Sequence, residues 1–226
     1  MTPAPPLRRL VLVNPNTDPA VTQAMLAIAR RHLPVGVSLE AMTAPFGSPL
    51  ILEPGALETA AQAVLSMAPG LRRTGCDGVV VAAFGDPALE GLRTLLGCPV
   101  TGIAEAAMAR AGRCGRRFCV VTTTPNLADA IAKAAERYGH GASFAGTFCT
   151  AGEPSELMRD PDRLEDALLR VCQTVAARES VEAIVIGGGP LAVAAQALAA
   201  RVPVPLVEPI REAINMAVSR LPVPAD

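Results

Sequence analysis

Three features of the sequence predict an α/β fold made of two related lobes. The first is internal repetition: Arg8 to Thr17 returns as Arg116 to Pro125, Asp77 to Phe84 as Glu182 to Gly189, and Cys98-Pro99-Val100 as Val202-Pro203-Val204. Offsets of 108, 105 and 104 residues describe one duplicated unit of domain size, not a short solenoid repeat. The second is a set of continuous apolar runs, which suit parallel strands covered on both faces. The third is a helical period between those runs, as right-handed βαβ units require.

In chain order, a first strand is expected at 10–13. The helix after it carries Val21, Ala24, Met25 and Ile28 at i, i+3, i+4 and i+7. A weaker strand at 37–42, a strong one at 79–83 and a weaker one at 100–103 complete the first lobe. The second lobe repeats the order with a strand at 118–121, a helix carrying Leu127, Ala130, Ile131 and Ala134, and strands at 144–149, 184–186 and 204–207. A C-terminal helix from about 209 is expected to return to the first lobe. The lobes are therefore placed at 1–103 with 208–226, and at 104–207.

Composition narrows the class of function. Half of the 226 residues are hydrophobic and 18% are charged, enough apolar surface for folded cores and too much for a disordered chain. A formal net charge of −1, with no block of Lys or Arg, gives no footprint for nucleic acid or an anionic membrane. With no Trp and a single Tyr, there is no aromatic platform for RNA. The proline-rich start, Met1 to Pro6, lacks the apolar segment of a secretory leader, and no apolar run reaches the ~20 residues of a membrane span. The expectation is a cytoplasmic homo-oligomer that handles a small molecule. Cys76, Cys98, Cys114, Cys119, Cys149 and Cys172 are scattered without a C-x-x-C pair, so free thiols are expected and a zinc site is not.

Four strand-to-helix junctions share a pattern: Asp18-Pro19, Asp86-Pro87, Thr124-Pro125 and Gly189-Pro190. Proline suits a first helical position, where its missing N–H costs nothing. The remaining N–H groups of each first turn point outward with the positive end of the helix dipole. Ligands of open parallel sheets bind beyond the carboxyl ends of the strands, so two facing lobes would aim several helix starts into one cleft for a small carboxylate, imide or oxyanion. Capping alone explains Asp18, Asp86 or Thr124 taken singly; recurrence at matched positions points to the cleft.

The side chains expected there are few. Asn14 and Thr122 are repeat mates at strand tips and, with Thr123, suit the polar edge of an imide or carboxylate. Glu105 and Glu208 follow the fourth strand of each lobe and, with Asp86, are the carboxylates available as general bases, although a helix start favours a carboxylate for its dipole alone. Cys149, before Thr150-Ala151, stands near the end of a second-lobe strand as a substitute nucleophile. Gly187-Gly188-Gly189 permits close backbone approach to a ligand and leaves amides for an oxyanion or thiolate, whereas a tight turn explains only one or two of these glycines. Ala83, Phe84 and Gly85 occupy the matching loop and complete the expected substrate-binding set. His32 and His140 are expected to be solvated.

The chain resembles the aspartate/glutamate and hydantoin racemase superfamily, and the hydantoin racemase branch in particular, over nearly its whole length. The resemblance rests on Val13-Asn14-Pro15-Asn16-Thr17, Ala44-Pro45-Phe46-Gly47, Phe84-Gly85-Asp86-Pro87-Ala88-Leu89 and Gly102-Ile103-Ala104-Glu105-Ala106-Ala107, with Val121-Thr122-Thr123-Thr124 and Ile186-Gly187-Gly188-Gly189 as the equivalent second-half loops. It implies two four-stranded parallel α/β lobes about a pseudo-dyad, a pocket between them, and no metal or organic cofactor. It also implies a pair of cysteines, one on each face of a substrate carbon, of which one removes a proton and the other returns one. At those two positions this chain has Ala83 and Gly188. The expected function is therefore cofactor-independent chemistry on a small cyclic ureide, hydantoin or thiohydantoin, by water addition or desulfurisation of the hydrolase or lyase type. The alternatives are a racemase or isomerase with other acid and base groups, and a catalytically silent metabolite-binding protein.

Overall fold

The duplication folds as two sheets of identical topology. The computed structural model describes residues 7–222, so the expectation about Met1 to Pro6 lies outside the described residues. In the first half the elements are β1 (Arg8–Asn14), α1 (Pro19–Arg30), β2 (Val37–Thr43), α2 (Pro54–Ser66), α3 (Ala68–Thr74), β3 (Gly78–Val81), α4 (Leu89–Leu95), β4 (Val100–Gly102) and α5 (Ile103–Ala111). The second half has β5 (Phe118–Thr122), α6 (Ala128–Arg137), β6 (Phe144–Cys149), α7 (Pro154–Leu157), α8 (Pro161–Arg178), β7 (Ala183–Ile186), α9 (Ala192–Leu198), β8 (Leu206–Val207) and α10 (Pro209–Ser219). The sheets run β2-β1-β3-β4 and β6-β5-β7-β8, and every pairing is parallel.

Local chemistry explains the elements. Leu10 to Val13 and Phe118 to Val121 are fully buried because helices cover both faces of each sheet. Asp18 caps α1, its Oδ1 accepting from the Ala20 amide at 2.8 Å, with Pro19 in the first turn. The buried face of α1 is Thr22, Met25, Leu26, Ile28 and Ala29. It is rotated from the expected stripe, because Ala24 is exposed.

Paired hydrogen bonds fix the equivalence of the lobes. Ala82 N donates to Val13 O at 2.8 Å as Gly187 N does to Val121 O at 2.8 Å, and Ala44 N donates to Asn14 O as Thr150 N does to Thr122 O. Ala83 and Gly188 are therefore mates, as are Asn14 and Thr122. Cys149 is the mate of Thr43.

One buried cluster runs through both halves, joining Leu10, Leu12 and Val80 to Phe118, Val120 and Val185 through Ile103, Met108, Ile210 and Ile214. Its helices are exchanged. After β4, α5 packs on β7 and β8 of the second sheet; after β8, α10 packs on β3 and β4 of the first and on α5. Two further clusters, around Leu71 and Leu92 and around Leu168 and Leu198, fill the outer face of each sheet.

Candidate active site

In each sheet the chain leaves β1 toward one edge and β3 toward the other, and β5 and β7 repeat this. A crevice opens at such a switch point beyond the strand ends, and the two crevices face each other. The resulting cleft is lined by Asn16 after β1, Ala82 to Phe84 after β3, Thr122 to Thr124 after β5 and Gly187 to Leu191 after β7. Apolar side chains complete the lining: Leu50, Ile51, Leu127, Ile131 and Met158.

The two loops after β3 and β7 meet backbone to backbone. A Cβ on Gly189 would lie 2.9 Å from Ala82 O and 2.6 Å from Met25 Sδ, and one on Gly187 would lie 2.5 Å from Val120 and 3.4 Å from the Phe84 ring. Glycine is needed at 187 and 189 for this close packing. With 82 against 189 and 84 against 187, Ala83 and Gly188 stand opposite one another about the pseudo-dyad. Gly188 is extended, with φ 164° and ψ 129°, and a Cβ there would meet only Leu191, at 3.1 Å.

The polar groups of the cleft are neutral. Thr122 Oγ1 donates to Gly187 O at 2.7 Å and lies 3.1 Å from Thr124 Oγ1, so its hydroxyl shapes the glycine loop. Thr123, 3% exposed, makes no side-chain hydrogen bond among the described residues, so its hydroxyl is left to a ligand. The amides of Ala83, Phe84, Thr123 and Thr124 likewise find no protein acceptor among the described residues. Together they form an array of donors at the ends of β3 and β5 suited to a carbonyl oxygen or oxyanion. No ionisable side chain lines the cleft, and no group of three or more His, Cys, Asp or Glu suited to a metal occurs among the described residues.

The carboxylates and the thiol expected to act on substrate are placed elsewhere. Asp86, with φ 51°, does not cap its own helix, which begins at Leu89. Its carboxylate caps α5 instead, accepting from Ala104 N at 2.9 Å, Glu105 N at 2.7 Å and the hydroxyl of Tyr138 at 2.7 Å. Burial pushes the Asp86 carboxyl up to about 6 against the opposing pull of these donors, and raises the Tyr138 phenol as well. Glu105 is held by Arg93 and Arg220 at 2.7 Å each; although burial opposes it, the two guanidiniums keep its carboxyl below the usual range. Glu208 is the N-cap of α10, accepting from Ile210 N at 2.6 Å and Arg211 N at 2.8 Å, and burial raises it to about 7. These three serve helix starts and ion pairs, which is why they follow strands without reaching the cleft. Cys149 ends β6, an edge strand, outside the cleft lining, and burial raises its thiol.

Among the expected binding residues, Ala83, Phe84, Thr122, Thr123 and Gly187 to Gly189 line the cleft; Asn14 and Gly85 do not. Asn14 is fully buried and spends its amide on Asn16 Oδ1 at 2.7 Å and Thr22 Oγ1 at 2.9 Å, which fixes the β1–α1 loop. Gly85 is required for its backbone, at φ 122°. Asn16, two residues beyond the strand tip, is the lining residue that Asn14 obscured. Leu50, Ile51 and Met158 carry no chemical signal in a sequence. Neither histidine is simply solvated: burial lowers both, His32 Nε2 is buried without a partner among the described residues, and the His140 ring stands edge-on to Phe118 at 5.9 Å.

Comparison with known proteins agrees with this architecture. Residues 10–217 match the family model for Asp/Glu/Hydantoin racemase. A hydantoin racemase of Rhizobium meliloti is 31% identical over 211 residues, covering 91% of this chain and 86% of that protein. The allantoin racemase of Klebsiella pneumoniae superposes with a TM-score of 0.88 at 32% identity, covering 94% of this chain and 86% of that one. The allantoin racemase of Pseudomonas fluorescens gives a TM-score of 0.85 at 26% identity, covering 96% and 98%.

Proposed function

Since the chain belongs to the Asp/Glu/hydantoin racemase family, we propose that its cleft takes a small neutral cyclic ureide of the hydantoin or allantoin type and inverts its acidic ring carbon, with bound water in place of paired thiols. The observation that carries this reading is that, among the described residues, no ionisable side chain lines a cleft that presents amides and hydroxyls. A free amino acid would have to leave its charges unpaired there, at a cost of several kcal/mol. A ureide ring presents only carbonyls and N–H groups, which the amides of Ala83, Phe84, Thr123 and Thr124 and the Thr123 hydroxyl complement.

Removing the hydrogen next to a ring carbonyl moves negative charge onto that oxygen. Amides without a protein acceptor among the described residues are available to stabilise that charge. Inversion needs proton carriers on both faces of the carbon, and the opposed positions on this scaffold are Ala83 and Gly188. Neither bears a titratable group, so water in the space beside them carries the proton. A positioned acid or base is worth ~10²- to 10⁴-fold, so turnover is expected to be slow beside that of a two-thiol enzyme. The test is a 5-substituted hydantoin, and allantoin, incubated in heavy water and followed by proton NMR and optical rotation. Deuterium entry at the ring carbon faster than in buffer, with loss of rotation, is the expected result.

A second reading has its own observation: position 188 carries no side chain, and a Cβ there would meet only Leu191. Water there is placed to add to a carbonyl, or to a thiocarbonyl with release of sulfide. Loss of the ultraviolet band of a thiohydantoin without deuterium exchange selects this hydrolytic or lyase reaction. Thermal stabilisation by ureides with neither change selects a binding protein.

A further inference from the structure

Where α1, α9 and α10 converge, a second cavity opens that shares no lining residue with the cleft. Its volume is about 230 Å³, and Arg31, His32, Gln196, Arg211 and Glu212 supply its polar lining. Unlike the neutral cleft, it presents charges of both signs, and much of their bonding capacity is unused. His32 Nε2 is buried with no hydrogen-bond partner among the described residues. The Glu212 side chain is only 15% exposed, yet its ion pairs with Arg110 and Arg211 are both 3.9 Å long, beyond hydrogen-bond length. Arg31 makes one contact, at 3.3 Å, with Gln196. Burial and the charge of Arg211 hold the His32 imidazole below its ordinary value; Glu212 pulls the other way and Arg31 adds to the lowering, so the ring is neutral at physiological pH. Glu208 also borders the cavity, but its oxygens already accept from α10 amides.

We propose that this cavity is a second ligand site, for a free α-amino acid with an apolar side chain. A plain anion held by Arg31 and Arg211 would lie beside the Glu212 carboxylate. A plain amine held by Glu212 would lie beside the two guanidiniums. Like charges at such range oppose binding, whereas a zwitterion answers both signs at once. Its carboxylate meets the guanidiniums of Arg31 and Arg211, in charge-assisted hydrogen bonds. Its ammonium donates to Glu212 and, with the imidazole proton on Nδ1, to His32 Nε2. Ala195, Ala199 and Leu206 give the same cavity an apolar side for the substituent. The volume is below the ~300 Å³ at which drug-sized pockets begin, as suits a ligand of this size. Its ligating groups come from both halves: Arg31 and His32 end α1 of the first lobe, and Gln196 lies on α9, which runs on from the glycine loop of the cleft. An amino acid held here therefore clips the two lobes together.

The test is a titration of the intact protein with L-leucine, followed by NMR of the histidine ring protons and by thermal melting. The chain has two histidines, so the readout needs no variant: the His32 signals should shift and saturate, those of His140 should stay in place, and the melting temperature should rise. Two fragments of the ligand separate its charges. Isocaproate, which lacks the ammonium, and isoamylamine, which lacks the carboxylate, should each bind about tenfold more weakly than L-leucine. Arg211→Ala, at a side chain 59% exposed, and Glu212→Gln should each weaken L-leucine by a similar factor in folded protein. His32 signals and melting temperature both unchanged by L-leucine would overturn the proposal. So would isocaproate binding as tightly as L-leucine, which marks a simple anion site, or L-leucine binding undiminished in both variants.

Discussion

The carboxyl group of Asp86 occupies the place of the side chain that Gly102 lacks. A Cβ on Gly102 would fall inside that carboxyl, which from there accepts the amides of Ala104 and Glu105. In the second lobe the corresponding helix start is capped by the residue that immediately precedes it, Glu208. The two halves reach the same capping chemistry by different routes. In the first, the cap also ties the lobes together, because Tyr138 of the second half donates to it.

Exchanging the two routes should reverse the sign of one substitution. Asp86→Ala strands two helix amides and the Tyr138 hydroxyl and should cost about 3 kcal/mol in urea unfolding. Gly102→Ser should destabilise the wild type by collision with Asp86, yet recover stability in Asp86→Ala by supplying a side-chain cap at the N-cap position itself. The Gly102 backbone, at φ −93° and ψ 148°, accepts any residue. Equal losses in both backgrounds would show that Asp86 is not the cap of this helix.

Asp86 and Glu208 should make the fold prefer mild acid. Both carboxyls are raised by burial, to about 6 and about 7, from near 4 when unfolded. Their stabilising contribution is fully present below pH 4 and is lost as pH rises through 6 to 7. The stability difference between wild type and Glu208→Gln should therefore be greater at pH 5 than at pH 8, by on the order of 2 kcal/mol. A difference that grows with pH would contradict the burial of an ionised Glu208.

The three glycines of the β7 loop should not be equivalent. Gly189→Ala forces a methyl against Ala82 O and should cost about 2 to 3 kcal/mol. Gly188→Ala needs only a small shift of Leu191 and should cost about 1 kcal/mol or less. Ala83→Cys with Gly188→Cys places thiols on opposite walls of the cleft and should raise deuterium entry at the ring carbon of a hydantoin by ~10²-fold or more. No change in exchange in a folded double variant would place the reacting carbon elsewhere.

Thr123→Val should weaken ureide binding about 3- to 10-fold, the worth of one hydrogen bond, with melting unchanged because no protein partner is lost. Thr122→Val should instead lower stability, since that hydroxyl holds Gly187 O. Isothermal titration and thermal melts on both variants separate the two roles.

Cys149→Ser should leave turnover and affinity as they are, since the thiol lies outside the cleft. Loss of turnover with affinity intact would restore it as a nucleophile.

Residue order alone determined the strands, because continuous apolar runs such as Leu10 to Val13 and Ile184 to Ile186 have no other way to be buried. It determined the duplication and, through the loops after the strands, most of the cleft backbone. It did not determine what the polar residues in those loops do. A carboxylate at a helix start looks the same in sequence whether it faces a ligand or an amide, and only packing gave Asp86 to α5, Glu105 to Arg93 and Arg220, and Glu208 to α10. Distance in the chain likewise hid the contact of Tyr138 with Asp86, which exists because the two lobes bring remote segments side by side. The apolar part of the cleft lining was decided in the same way: Leu50, Ile51 and Met158 are ordinary apolar residues whose role comes from the segments that carry them.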